Sequence, residues 1–179
     1  MKNSFSLFFI YFTIITVYGQ ETLLENNYKK IGFEVATIAS GTGFFFTPIT
    51  AYNINKHSIS IGPKLPLESR VGDSFGLICG YKFYPNGRQN KVNFHFSFNS
   101  QFLREVRLLR MGDERKVFLE NTFGYGFELK LFKELYLTNE VGGGIMYRWI
   151  KYEDNQNYLE KYTTGIITLG IRKRFKIKH

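Results

Sequence analysis

Apolar residues recur at every second position through most of this chain, and few folds accept long runs of that pattern. Over Val117–Leu131 one face carries Val117, Leu119, Phe123, Tyr125, Phe127, Leu129 and Leu131. The other carries Glu120, Thr122, Gly124, Gly126, Glu128 and Lys130, with Phe118 among them. Leu135–Trp149 repeats the form, setting Leu135, Leu137, Val141, Ile145, Tyr147 and Trp149 against Tyr136, Thr138, Glu140, Gly142, Gly144 and Arg148. Successive side chains of a strand point to opposite faces, so each run predicts a strand with an oily side and a polar side. Ser74–Tyr84, Lys91–Phe102 and Tyr162–Phe175 read the same way. Lys30–Ser40, Phe44–Asn53 and His57–Leu65 are less regular, with Pro48 and Pro63 inside two of them. The expectation is an all-β chain of eight strands.

Composition removes the competing classes. Aromatics make up 18% of 179 residues, far above what a disordered tail carries. A mean hydropathy of -0.21 with 22% charged residues is incompatible with a helical bundle buried in lipid. A single cysteine, Cys79, excludes an internal disulfide, and the scattered histidines have no metal-ligand spacing, so neither metal nor cofactor is expected. Residues 1–19 hold one lysine, an apolar run from Phe5 to Tyr18, and small residues Val17 and Gly19 before Gln20. This is the form of a cleaved signal peptide, the run being shorter than the roughly 20 residues of a membrane-spanning helix. The remaining division is a lead-in at 20–29, a barrel at 30–175 and a short basic tail at 176–179. The net charge of +9 and pI near 9.6 suit an anionic membrane surface or acidic glycan. Export and the lack of any basic helix argue against nucleic acid.

The connections alternate in length, except that Gly41–Gly43 is a short link where a long one is due. Asn53–Lys56, Pro85–Asn90 and Phe132–Glu134 are short, whereas Pro66–Asp73, Arg104–Lys116 and Ile150–Lys161 are longer and more polar. Strands of 10–14 residues suit a tilted bilayer crossing, which needs roughly 9–11. Glycine on the polar faces makes room for long charged neighbours inside a narrow tube. Together with Phe123-Gly124-Tyr125-Gly126-Phe127, Val141-Gly142-Gly143-Gly144-Ile145 and the closing Leu169-Gly170-Ile171-Arg172-Lys173-Arg174-Phe175, the chain resembles the small eight-stranded outer-membrane β-barrels of Gram-negative bacteria. The resemblance implies an antiparallel up-and-down transmembrane barrel with a polar, side-chain-filled lumen, located in the outer membrane. It also implies a monomer whose partners are outer-membrane lipids, lipopolysaccharide and, during biogenesis, the barrel-assembly machinery. Its aromatic C-terminal strand is followed by Lys176–His179, a departure from the strict form in which the aromatic comes last. A secreted soluble β-barrel or sandwich is the alternative, since it too has one oily face.

Inside such a tube charges must pair. The lumen network is expected to comprise Glu34, Glu120, Glu128, Glu140, Lys82, Arg148, Arg172 and Arg174. A Glu34–Arg172–Glu140 cluster is expected at its centre, with Glu128 and Arg174 nearby. Such a network reads as a plug, and alternatively as the constriction of a narrow solute or ion channel. Arg104, Arg107, Arg110, Arg115 and Lys116 form a candidate anion-binding loop, because Arg forks match phosphate oxygens. His95-Phe96-Ser97 bears comparison with the His-x-Ser of lipid A deacylases on a similar barrel, where a base activates a hydroxyl. Here Phe94, Phe96 and Phe98 take the oily face and turn His95 and Ser97 inward, and Phe98 stands where that family carries asparagine. No catalytic site is therefore expected, and the role expected is structural or one of surface interaction through the external loops.

Overall fold

A computed structural model describes residues 29–67, 74–88, 90–109, 112–151 and 157–176. The expected signal peptide and lead-in (to residue 28), most of the Pro66–Asp73 connection, and the tail beyond Lys176 lie outside the described residues. Eight antiparallel strands, β1 (Lys29–Ser40), β2 (Gly43–Ile54), β3 (His57–Pro66), β4 (Ser74–Phe83), β5 (Val92–Leu109), β6 (Gly112–Phe132), β7 (Leu135–Lys151) and β8 (Asn157–Lys176), pair in chain order. β8 then pairs with β1 and closes the barrel. Closure leaves no unpaired sheet edge. Following the registers once round advances the chain by about ten residues along β1, a shear that tilts the strands roughly 40° from the axis.

Local chemistry sets the turns. Asn55 and Lys133 take left-handed backbone (φ 47° and 45°) in the two-residue links β2–β3 and β6–β7. Gly87 (φ 74°) serves the Pro85–Asn90 turn. Pro48 and Pro63 remain inside strands, on the half-exposed face. The β2–β3 ladder breaks around them, between Phe46↔Leu65 and Thr50↔Ile61, because proline donates no hydrogen bond.

Two expected loops are corrected. Arg104–Lys116 is mostly strand: Arg104↔Val117, Glu105↔Lys116 and Val106↔Arg115 continue the β5–β6 ladder to Leu109↔Gly112. Ile150–Lys161 is likewise strand at both its ends, with Lys151↔Asn157 the last pair among the described residues. Both stretches place polar residues on both faces, so the hydrophobic alternation that marks the other strands disappears while the backbone ladder persists. In consequence β5–β8 span 17 to 21 residues against 10 to 12 for β1–β4. Their surplus rises roughly 15–20 Å beyond the β1–β4 rim, at the end away from the short turns.

Burial decides which face looks outward. Phe123 is 65% exposed, Ile167 57% and Phe33 47%, while Glu34, Glu128 and Arg172 are at 1% or less. The apolar residues make the outer wall and the charges fill the tube, the inverse of a water-soluble barrel. Among the described residues, apolar packing inside includes two clusters, Ile38–Ile78–Ile166 and Phe45–Leu103–Phe118–Met146. Both lie toward the end where β5–β8 project.

Candidate functional site

The charged lumen begins with Glu34 on β1 and Arg172 on β8, which face each other in register. Arg172 Nε donates to Glu34 Oε2 at 2.8 Å and Nη2 bonds the same oxygen, while Thr138 Oγ1 donates to Oε1 at 2.6 Å. The remaining arm, Nη1, reaches Glu128 Oε1 at 2.7 Å, an oxygen that also accepts from Tyr84 OH at 2.6 Å. Arg174 pairs with Glu128 Oε2, donates through Nη1 to the Arg88 carbonyl at 3.0 Å, and packs over the Tyr136 ring at 3.9 Å. One guanidinium thus bridges two carboxylates from strands on different sides of the tube. Charge-assisted bonds of this kind are the form in which buried charge is tolerated.

Glu140 belongs to a second group. Lys82 Nζ stands 3.1 Å from its Oε2, Asn99 Nδ2 donates to Oε1 at 2.5 Å, and His95 Nε2 lies 3.6 Å from Oε2. The expected Glu34–Arg172–Glu140 cluster is therefore corrected: Glu128 takes the place of Glu140. The β7–β8 ladder is centred about two residues earlier in the chain than a Glu140–Arg172 pairing requires, so Arg172 registers with Tyr136, and Glu140 with Thr168. Arg148 is also corrected. It keeps lumen parity but sits part-exposed on the projecting part of β7, donating to Glu160 Oε2 (Nε, 2.6 Å) and Tyr162 OH (Nη2, 2.7 Å).

Glu120 lies nearer the projecting end, accepting hydrogen bonds from Thr42 and Thr164. Beyond the residues picked from the sequence, Lys64 is fully buried, donates to Thr42 Oγ1 at 3.2 Å and stands 3.9 Å above the Phe45 ring. Its even position in β3, shared with Ser58 and Gly62, was a usable signal that Pro63 and Pro66 obscured. Lys30 pairs with Glu134 at 2.7 Å across the short-turn mouth. Arg88 folds from the Pro85–Asn90 turn back under the tube: Nη1 donates to Asn53 Oδ1 at 2.5 Å and to the His57 carbonyl at 3.3 Å, with the Tyr84 ring 4.1 Å away. No periodicity reveals a residue that enters the lumen from a turn.

His95 and Ser97 occupy the lumen face of β5, both buried, and no hydrogen bond joins them. The Tyr84 ring lies 5.2 Å from that of His95, which leans toward Glu140. A His–Ser couple needs that missing bond to generate a nucleophile. Of the expected anion-binding set, Arg104 and Arg115 are exposed on strands, Lys116 is half-buried on the inward face, and Arg107 is on β5. Arg110 and the Arg107 side chain lie outside the described residues.

The tube closes above the charges. Ile38, Ile78 and Ile166 meet two or three lumen positions beyond Glu34, Lys82 and Arg172, and Phe45, Leu103, Phe118 and Met146 form a further apolar layer. The ion pairs of Glu34, Glu128 and Glu140 lie in the short-turn half, and the other half mixes the two apolar clusters with buried Lys64 and Glu120.

No family model and no curated protein matches the sequence. Among solved structures, the N-terminal β-barrel domain of Pseudomonas aeruginosa OprF superposes with a TM-score of 0.58 at 10% identity, covering 84% of this chain and 100% of that one. Neisserial surface protein A (NspA) gives 0.42 at 14% identity, covering 82% and 96%. A major outer membrane protein from Thermus thermophilus gives 0.46 at 12% identity, covering 83% and 100%. The likeness to the OprF domain, with the closed eight-stranded topology, gives this chain the fold of the small eight-stranded outer-membrane β-barrels.

Proposed function

We propose that the protein is a plugged outer-membrane barrel with a structural or surface-interaction role, its lumen sealed by ion pairs and its projecting strands available outside the cell. The observation that supports this most is the inverted burial: an apolar outer wall around a charged interior. In water such a wall would leave some thirty large apolar side chains solvated at a cost of roughly 25 cal/mol per Å²; in hydrocarbon that cost vanishes. Short turns at one end and long strands at the other match a barrel with its short turns in the periplasm. The plug rather than the channel is favoured by stacked obstruction. The Arg172 bridge between Glu34 and Glu128 ties β8 to both β1 and β6, and the isoleucine cluster lies above it.

Refolded protein in planar bilayers tests both halves of the proposal. Insertion with heat-modifiable migration on gels and no steady open state is the expected result. A stable ohmic conductance in the wild type, lost or altered in ion selectivity on Glu34→Gln, would establish the channel instead. Recovery as a soluble monomer without detergent would remove the membrane assignment altogether.

A further inference from the structure

On the projecting parts of β5–β8 the outward face gathers cations, while Lys116 and Arg148 share the inward face with the acidic residues. Arg104, Arg115, Lys151 and Lys161 occupy outward positions on four adjacent strands, and all four are exposed. Acidic residues of the same strands, Glu105, Glu120 and Glu160, hold inward positions. Asp113 has an outward register position at the tip, its side chain lying outside the described residues. None of the four cations has an ion pair among the described residues. Arg115 and Lys151 stand directly opposite each other in register, an arrangement of like charges that costs stability in a sheet. An anion held between them removes that cost.

The face carrying these cations is continuous with the apolar wall. Trp149 pairs with Val117 on one side and Leu159 on the other, immediately short of the Arg115–Lys151 pair. The Tyr147 and Trp149 rings stack at 6.1 Å, and Lys161 Nζ lies 5.9 Å from the Tyr147 ring. Aromatic rings at the edge of an apolar wall mark the level of lipid headgroups. The rim of β1–β4 at the same end presents Phe44, Leu65 and Phe75 and no outward cation among the described residues. Among the described residues the positive charge thus forms a sector.

We propose that this sector binds the phosphorylated lipid A headgroup of the outer leaflet, with Arg115 and Lys151 sharing one phosphate, Arg104 and Lys161 flanking it, and acyl chains lying along the wall below Trp149. The proposal rests on the membrane reading above, with the long-strand end outward. Phosphate oxygens accept several charge-assisted bonds at once and suit such a cluster better than a single carboxylate would.

The full chain is refolded in zwitterionic micelles, heat-modifiable migration being required first, since its absence refutes the membrane reading and not this site. Lipid A or phosphatidylglycerol is then titrated in, and bound lipid is counted by native mass spectrometry. Lipid A binds more tightly than phosphatidylglycerol; Arg115→Gln/Lys151→Gln weakens it roughly tenfold or more, and adding Arg104→Gln/Lys161→Gln weakens it further. Lys91→Gln/Lys133→Gln/Lys173→Gln removes exposed charge from the opposite end and stays within about twofold of wild type. Equal loss in that control, equal affinity for the two lipids, or an unaffected Arg115→Gln/Lys151→Gln variant overturns the proposal. That double variant tests the site even if the quadruple one does not refold.

Discussion

Replacing Arg172 by methionine removes a side chain that holds two carboxylates at once, with similar length and no charge. Glu34 loses both of its bonds from Arg172, one of them the 2.8 Å contact from Nε, and keeps only Thr138; Glu128 loses the 2.7 Å contact and keeps Tyr84 and Arg174. Breaking a buried pair by removing one partner costs about 3–5 kcal/mol, because the remaining charge stays desolvated. Glu34 is left as such a charge, whereas Glu128 retains a guanidinium, so the loss belongs near a single broken pair: about 3–5 kcal/mol. If the cost is the orphaned charge and not lost packing, adding Glu34→Gln to Arg172→Met returns at least half of it, because a neutral amide still accepts from Thr138 Oγ1. The assay is urea unfolding of the barrel in lipid vesicles, followed by fluorescence of Trp149, the chain's single tryptophan. A loss below about 1 kcal/mol for Arg172→Met would show the bridge to be ornamental. A double variant no more stable than the single one would show that the cost comes from volume and not from uncompensated charge.

Gly126→Ala is expected to destabilise the barrel by at least the roughly 1–3 kcal/mol of overpacking. A Cβ there overlaps the Asn139 carbonyl oxygen and lies 2.9 Å from Glu140 Cα and His95 Cε1, so the β6–β7 backbone must move; the same urea titration reads it. Gly87→Ala meets nothing within 4 Å and carries only the cost of its positive φ, about 1 kcal/mol, which makes it the matched control. Cys79 is exposed on the outer wall between Ile61 of β3 and Ser100 of β5. In vesicles it should resist a charged maleimide and react with a lipid-permeable one, then react with both in denaturant; rapid labelling of the folded protein by the charged reagent would place this wall in water.

Where one face of a strand is apolar and the other lines the lumen, the chain announces it. Parity puts Phe123 and Ile167 on one face and Glu34, Glu128, Arg172 and Arg174 on the other, because a slip by one residue would exchange every side chain between faces, and burial then says which face looks outward. The same rule fails where both faces are wet. Over Val106–Arg115 and Ile150–Lys161 no hydrophobic alternation remains, and the ladder is held by backbone bonds and by Arg148–Glu160, Glu105↔Lys116 and similar opposed pairs. A strand in that setting is indistinguishable from a polar loop until the register is known. The swap of Glu140 for Glu128 as partner of Arg172 has the same origin, since misjudging one hairpin displaces a whole strand relative to its neighbour.

Parity also says nothing about height, and height is what organises this lumen. Ile38, Ile78 and Ile166 share the inward face with Glu34, Lys82 and Arg172, yet stand in a separate layer. They meet only because the shear of the barrel brings residues distant in sequence to one level. Apolar inward positions among polar ones look like exceptions in a single strand; collected across three strands, they form one cluster. On the plugged reading proposed above, that cluster is a second obstruction, one that does not depend on the salt bridges. The prediction that the Arg172→Met barrel is destabilised follows from the charged layer, and the plugged reading adds that this weakened barrel still carries no steady current.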